Sequence, residues 1–183
     1  MTAFMRCVLA AISCFLFASA YADTQCNLRA SQAPAGDEEC VRAWMDENLR
    51  ANDLLSIGTH NSYKDAIPDT EMKELRSRSQ RAATVLDYSH PDLAKQLDAG
   101  ARQLELDVYY DPHGGRFADP LAPRQQGRKL HETLLAELAK PGFKVMHIPD
   151  FDFRSTCIRF VACLQAIKTW SDAHPDHIPI AIL

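Results

Sequence analysis

The sequence predicts a protein of the α/β class, because strand-length apolar runs alternate with helix-length amphipathic segments from residue 53 onward. Gly and Pro stand at the ends of many of these segments, where turns are expected. Alternating strands and helices are typical of a parallel sheet that is covered by helices. No internal repeat or low-complexity tract interrupts the pattern.

Four strands are predicted, over residues 54–57, 103–110, 144–148 and 179–183. Gly58 is expected to stop the first of them. The chain ends inside the fourth, so we expect it to hold about four of the eight strands of a longer (β/α) barrel. A complete small α/β sheet is the alternative.

Helices are predicted around residues 38–48, 70–81, 91–99, 130–138 and 160–170. In the third, Pro91 suits the first helical position and Gly100 the position after the last turn. Leu93 and Leu97, four residues apart, give this helix an apolar face. The last helix has an apolar face of the same kind, formed by Phe160, Leu164, Ile167 and Trp170.

The first 22 residues have the pattern of a secretory signal peptide. Arg6 precedes an apolar run too short to span a bilayer, and Ala20 and Ala22 form a small-residue cleavage motif. Residues 23–52 are a polar N-terminal extension, and residues 53–183 form the partial barrel. We therefore expect an exported protein, secreted or periplasmic; a retained N-terminal anchor is the alternative.

Four cysteines remain after the expected cleavage, an even number that suits an oxidising compartment. The pairings Cys26–Cys40 and Cys157–Cys163 are favoured because the members of each pair are close in sequence. One helix holding both Cys157 and Cys163 would separate their Cα atoms by roughly 9 Å. A disulfide tolerates at most about 7 Å, so this pairing requires Cys157 to precede the helix.

The charge balance excludes some partners. With 24 acidic and 20 basic residues, the net charge is −4 at pH 7. An acidic chain lacks the basic surface that nucleic-acid binding requires. The sequence also lacks a polybasic patch of the kind that attaches proteins to anionic membranes. No obligate protein partner is indicated either.

Acidic and apolar residues alternate in the second predicted strand. Glu105 and Asp107 fall on one face, and Leu104, Leu106 and Val108 fall on the other. In a barrel the apolar face meets the helices, so two carboxylates about 7 Å apart would point inward and need a compensating cation. The alternative is an antiparallel edge strand with its polar face in water.

Polar groups also follow the first and third predicted strands. Asn61 adds an amide oxygen to the two carboxylates, a set that suits Ca²⁺ first and Mg²⁺ second. His60 and His147 stand at the strand ends where barrel enzymes carry out reactions, and two imidazoles can accept and donate protons near neutral pH. Hydrogen-bonding or capping histidines are the alternative, and we expect that role for the other five.

Metal, base and acid together are typical of phosphodiester cleavage. The sequence has neither a Gly-rich phosphate loop nor a Gly-x-Ser-x-Gly motif, which argues against nucleotide binding and serine hydrolysis.

Three segments resemble a known family. Residues 56–63, Ser-Ile-Gly-Thr-His-Asn-Ser-Tyr, resemble the first-strand motif of phosphatidylinositol-specific phospholipase C catalytic domains. Residues 104–112 and 143–152, which carry Glu105, Asp107 and His147, resemble the secreted, calcium-dependent branch of that superfamily. The resemblance covers roughly residues 50–183. Metal-independent relatives have Arg where this chain has Asp107, which favours the calcium-dependent branch.

The resemblance implies a distorted TIM barrel that cleaves phosphatidylinositol-type lipids, or another phosphodiester lipid, at a transient membrane surface. The inositol 2-hydroxyl attacks phosphorus, diacylglycerol leaves, and inositol phosphate forms through a cyclic phosphate. His147 would be the general acid, and His60 would stabilise the developing charge or assist the base. Asn61, Glu105 and Asp107 would bind Ca²⁺, and the resemblance leaves open whether one of these carboxylates is the base.

The ligand set is incomplete, and two other functions are alternatives to a phospholipase C. Three protein ligands are fewer than the six to eight oxygens that Ca²⁺ takes. The family has a further acidic ligand on the strand that begins here at Ile180, beyond residue 183. We therefore expect the 183 residues alone to be inactive. A glycerophosphodiester phosphodiesterase is the nearest alternative, but that family usually has His-Arg where this chain has His60-Asn61. A non-catalytic barrel that binds a polyol phosphate is the other.

Overall fold

The computed structural model describes residues 28–30 and 38–183. The chain divides into two compact units, one reaching Leu54 and the other spanning Leu55–Leu183. The predicted signal peptide and Cys26 lie outside the described residues.

The first unit contains helix α1, Glu38–Asn48, which confirms the predicted helix. Glu38 and Glu39 lie in its first turn, where a negative charge is stabilised by the helix dipole. Two short 3-10 turns, Leu28–Ala30 and Ala51–Asp53, complete the described part of this unit.

The second unit is a mixed α/β structure, as predicted. Its helices are α2 (Asp69–Arg78), α3 (Gln80–Leu86), α4 (Leu93–Asp98), α5 (Leu121–Gln125), α6 (Glu132–Ala139) and α7 (Phe160–Ala173). Its strands are β1 (Gly58–Thr59), β2 (Gln103–Leu104), β3 (Val108–Tyr109), β4 (Lys144–Val145) and β5 (Ala181–Ile182). The described residues form no closed barrel, and the barrel stays a prediction.

A parallel sheet with the order β1-β2-β5 forms the centre of the second unit. Gly58 lies opposite Gln103 in this sheet, and a Cβ at position 58 would come within 2.9 Å of the Gln103 Cβ. Gly58 therefore permits close pairing of β1 with β2. The prediction that Gly58 stops the first strand is wrong, since the strand begins there and Leu55 and Ile57 are exposed.

The predicted third strand does not join the parallel sheet. Instead β4 pairs antiparallel with β3, with Val108 opposite Val145. The predicted strand 103–110 is also divided, because its first part pairs with β1 and β5 and its last part pairs with β4. The Glu105 amide donates to Ser62 Oγ, and the Asp107 carbonyl accepts from the Met146 amide. The Leu106 amide still donates to the Leu183 carbonyl, so the chain passes from the parallel sheet to the β3–β4 pair between Leu106 and Asp107.

The main hydrophobic core lies between the parallel sheet and helices α4 and α7. Leu104 and Leu106 pack there with Leu93 and Leu97 of α4 and with Trp170 of α7. The predicted apolar face of α4 is confirmed, and that of α7 is confirmed except at Leu164, which is 37% exposed. Val108, which was predicted to share the apolar face of Leu104 and Leu106, is 46% exposed rather than buried.

Local sequence explains several helix ends. The predicted helix 70–81 is divided at Ser79, whose extended backbone (φ −157°) ends α2 while its side chain accepts a hydrogen bond from the Ala82 amide at the start of α3. Helix α4 begins at Leu93 with Asp92 as its N-cap, so the prediction that Pro91 is the first helical residue is wrong, and Gly100 follows α4 with φ +98°. His131 caps α6.

A disulfide joins Cys157 to Cys163, with Cα atoms 5.2 Å apart. Cys157 precedes α7, as the predicted pairing required. Cys40 is also disulfide-bonded, but its expected partner Cys26 is not among the residues described. No helix in the described ranges is long and apolar enough to cross a membrane.

Candidate functional site

The turn after β1 carries Asn61 in a left-handed conformation, with φ +50°. Asn tolerates this region better than most non-Gly residues because its short polar side chain can bond locally. The Asn61 carbonyl accepts from the Lys64 amide, and its side chain is almost fully buried. The turn therefore directs a buried amide toward the end of β2.

Glu105 is held against this turn by backbone and side-chain contacts. Its Oε2 accepts a hydrogen bond from the Asn61 backbone amide at 3.1 Å, and its backbone carbonyl accepts one from the Ser62 backbone amide at 3.1 Å. The Glu105 side chain is 29% exposed, and its Oε2 lies 4.0 Å from His60 Nε2. Glu105, Asn61 and His60 therefore form one cluster.

Tyr63 connects Asn61 to Asp107. Its hydroxyl lies 2.8 Å from Asp107 Oδ2 and 3.0 Å from Asn61 Oδ1, with its single proton available to either oxygen. Burial, followed by the hydrogen bond to Asp107 and the negative charges nearby, raises the pKa of Tyr63 far above its ordinary value. Tyr63 thus stays a neutral donor beside the two candidate ligands.

Glu105 and Asp107 differ from the fully buried carboxylates in what neutralises them. Glu71 accepts two hydrogen bonds from Arg154, Asp111 pairs with Lys144, and Asp152 pairs with Lys64. Among the described residues, no Lys or Arg nitrogen lies within 4.0 Å of Glu105 or Asp107. In the described part of the chain, the basic side chain close to this pair is His60, beside Glu105.

The donor set fits Ca²⁺. Two carboxylates without a protein cation, next to the Asn61 amide oxygen, are the hard oxygen ligands that Ca²⁺ prefers. Within the described ranges, no three His, Cys, Asp or Glu side chains cluster for metal binding. The edge-strand alternative does not hold for β2, which lies between β1 and β5.

His60 lies beside the cluster with its side chain 74% exposed. Its ring stacks on Tyr88, with the centroids 6.4 Å apart, and its Nδ1 lies 3.3 Å from the Tyr88 hydroxyl. The same hydroxyl accepts from Asn61 Nδ2 at 2.9 Å. Tyr88 therefore orients both residues, while the exposed His60 ring can reach a ligand.

His147 follows β4, on a segment that adjoins the cluster. Its Nδ1 lies 2.9 Å from Asp152 Oδ2, and its side chain is 28% exposed. The His147 carbonyl accepts from the Tyr109 hydroxyl at 2.8 Å. Since Met146 also bonds to the Asp107 carbonyl, His147 is tied to the Asp107 segment through neighbouring backbone.

The structure thus brings His60, Asn61, Glu105 and Asp107 into one network of contacts and places His147 on an adjoining segment. Their catalytic and metal-binding roles stay predictions. Sequence reasoning missed four residues that hold this network in place: Tyr63, Lys64, Tyr88 and Asp152. Tyr63 and Asp152 lie within the motif segments, which could have drawn attention to them, whereas Tyr88 has no local signal.

An imidazole beside carboxylates that have no Lys or Arg partner among the described residues is the kind of site that metal-assisted cleavage of phosphodiesters uses. The family model for Ca²⁺-dependent phosphoinositide phospholipase C matches residues 49–183, well over half of the chain. The chain belongs to this family, and Ca²⁺ is accordingly its cofactor. No curated relative and no solved structure matches the chain.

Proposed function

We propose that this protein is a calcium-dependent phosphodiesterase that cleaves the glycerol–phosphate bond of phosphatidylinositol-type lipids. The products are diacylglycerol and an inositol phosphate. The proposal places the chemistry at the mouth of a barrel, in an exported protein that contacts the membrane surface transiently. Family membership supports the phospholipase C class of reaction.

The observation that carries the proposal is the contrast between carboxylates. Each fully buried carboxylate has a Lys or Arg partner, whereas Glu105 and Asp107 have none among the described residues. Asn61, Glu105 and Asp107 would hold Ca²⁺. When bound, the ion supplies positive charge that polarises a phosphoryl oxygen.

The chain's own residues would carry the protons. The inositol 2-hydroxyl forms a bond to phosphorus and gives its proton to a base in the His60–Glu105 pair, whose side chains lie 4.0 Å apart. The bond from phosphorus to the glycerol oxygen breaks, and His147 donates a proton to that oxygen. Its Nδ1 is engaged by Asp152, so Nε2 is the nitrogen available for this transfer.

The test is release of inositol phosphate and diacylglycerol from phosphatidylinositol vesicles by the natural full-length protein, with calcium or with chelator. We expect calcium-dependent turnover that falls by at least about a hundredfold in His147→Ala, because a general acid contributes 10²–10⁴ in rate. Glu105→Gln and Asp107→Asn should lower the apparent calcium affinity. Asp119→Asn, which alters an exposed carboxylate paired with Arg124, is the control.

Two results would contradict the proposal. Turnover of glycerophosphodiesters without activity on phosphatidylinositol would favour a glycerophosphodiester phosphodiesterase. Binding of inositol phosphate by a folded protein that turns over neither substrate would favour a non-catalytic binding protein.

A further inference from the structure

Lys64 is a fully buried lysine whose ammonium group has defined partners. Its Nζ lies 3.1 Å from Asp152 Oδ1 and donates to the Tyr88 carbonyl at 2.9 Å. Both Lys64 and Asp152 have side chains that are 0% exposed. Burying a charge is costly unless it is paired, so this arrangement requires both members.

The two oxygens of Asp152 have different partners. Oδ1 faces Lys64 in an ion pair without hydrogen-bond geometry, and Oδ2 lies 2.9 Å from His147 Nδ1. An ionised carboxylate can only accept hydrogen bonds, so the proton in this contact belongs to His147 Nδ1. A neutral His147 then presents an unprotonated Nε2 to the site, and a charged one presents an acidic Nε2–H.

We propose that Lys64 and Asp152 are positioning residues for His147, which together set its ring orientation and its tautomer. The proposal rests on the proposed function, in which His147 Nε2 transfers a proton to the leaving oxygen. Asp152 holds the Nδ1 proton. Lys64 keeps the Asp152 carboxylate in one orientation, with Oδ2 toward the imidazole.

Lys64 also joins the two segments that carry the histidines. It forms a β-bridge with Ser155, and the Asp65 amide donates to the Arg154 carbonyl at 3.3 Å. Through the Tyr88 carbonyl, the same lysine holds the residue whose hydroxyl lies beside His60. A buried ammonium therefore lies between His60 and His147 in the network.

A second buried pair provides a matched control. Lys144 Nζ lies 2.9 Å from Asp111 Oδ2, and both side chains are nearly or fully buried. The remaining contacts of this lysine are to the Lys140 and Gly142 carbonyls, and no histidine is among them. Neutralising the Lys144–Asp111 pair should lower the free energy of unfolding without altering the orientation or the tautomer of the His147 ring.

The Asp152→Asn variant distinguishes positioning of the His147 ring from a simple loss of the Asp152 charge. In Asp152→Asn, Lys64 favours the amide oxygen on its own side, because an ammonium group can only donate. The amide NH₂ then faces His147 Nδ1 and donates to it, so the neutral imidazole must carry its proton on Nε2. Adding Lys64→Met removes that preference, and the amide can turn its oxygen toward Nδ1.

The experiment measures the ¹⁵N signals of the His147 ring at a pH where the imidazole is neutral, assigned by their loss in His147→Gln. We expect a protonated Nδ1 in the wild type, a protonated Nε2 in Asp152→Asn, and recovery of the Nδ1 form in Lys64→Met/Asp152→Asn. The kcat on phosphatidylinositol should fall about a hundredfold in the single variant and recover at least about tenfold in the double variant, with KM little changed.

Lys144→Met/Asp111→Asn should keep the wild-type tautomer and a kcat within about threefold of the wild type. A wild-type ring protonated on Nε2 would overturn the positioning proposal even if no variant folded. So would an Asp152→Asn protein with the wild-type tautomer and kcat, or an equal loss of kcat in the control. If the tautomers behave as expected but no phosphodiesterase activity is found, the positioning stands and the proposed function fails.

Discussion

The carboxylates of this protein lie in two regions that differ in how their charge is neutralised. In the region around β4 and α2, Asp111, Asp152 and Glu71 are fully buried, and each contacts a lysine or arginine supplied by the chain. At the ends of β1 and β2, Glu105 and Asp107 are partly exposed. The described residues offer them no Lys or Arg; their side-chain oxygens contact His60, the Asn61 backbone amide and the Tyr63 hydroxyl.

This difference separates charges that stabilise the fold from charges that are available to a ligand. Removing the partner of a paired buried carboxylate destabilises the folded protein, because the remaining charge stays desolvated. A cation that binds an unpaired carboxylate of the folded protein stabilises the fold. The two regions should therefore respond in opposite ways to mutation and to calcium.

The largest effect is expected at the Arg154–Glu71 pair. Arg154 donates to both oxygens of Glu71, at 2.9 and 2.7 Å. Arg154→Met would leave buried Glu71 with Arg128 alone, whose guanidinium lies 3.6 Å from Glu71 Oε1, and we expect the free energy of unfolding to fall by about 3 kcal/mol. Urea unfolding measures it, with and without calcium.

Arg154→Met/Glu71→Gln removes both charges and should recover much of that loss. A single variant within about 1 kcal/mol of the wild type would contradict the view that this pair stabilises the fold. Calcium should not restore the single variant, since its defect lies at a pair formed within the chain.

An intermediate effect is expected from calcium itself. At about a hundredfold excess over its dissociation constant, a bound ion raises the free energy of unfolding by about 2.7 kcal/mol. Glu105→Gln should reduce this gain, whereas Asp119→Asn should keep it. The measurement is urea unfolding in calcium, in magnesium and in chelator. An equal calcium response in Glu105→Gln and the wild type would remove Glu105 from the ligand set.

The smallest effect is expected at Tyr63, whose hydroxyl is the protein's own donor to Asp107. Tyr63→Phe keeps the buried ring but loses that hydrogen bond, which should cost about 1–2 kcal/mol of stability. Urea unfolding of the two proteins at neutral pH checks this value.

The same variant has a pH signature. The pKa of Tyr63 is raised in the folded protein by burial and by Asp107, whereas an unfolded tyrosine ionises near a pKa of about 10. The stabilising contribution is therefore full below that pH and is lost as the pH rises above it. The advantage of the wild type over Tyr63→Phe should narrow above about pH 10; a constant difference would show that the folded hydroxyl ionises normally.

Much of the candidate site could be predicted from the sequence, because its residue types stand beside recognisable strand patterns. His60, Asn61, Glu105 and Asp107 were predicted to act together, and they contact one another directly or through Tyr63. The missed residues contribute contacts that span long stretches of sequence. Tyr88 reaches His60 from 28 positions away, for example, and no local pattern encodes such a pairing.

The sequence by itself determined the features that depend on neighbours along the chain. The α1 helix, the apolar faces of α4 and α7, and the Cys157–Cys163 bond follow from periodicity and spacing, because helical contacts lie within four residues. The tertiary structure alone decided that β4 pairs antiparallel with β3, that the predicted strand 103–110 is divided between two sheets, and that Lys64 is buried against Asp152. These outcomes depend on which distant backbone and side-chain groups satisfy each buried hydrogen bond and charge, and that choice is made only when the segments pack together.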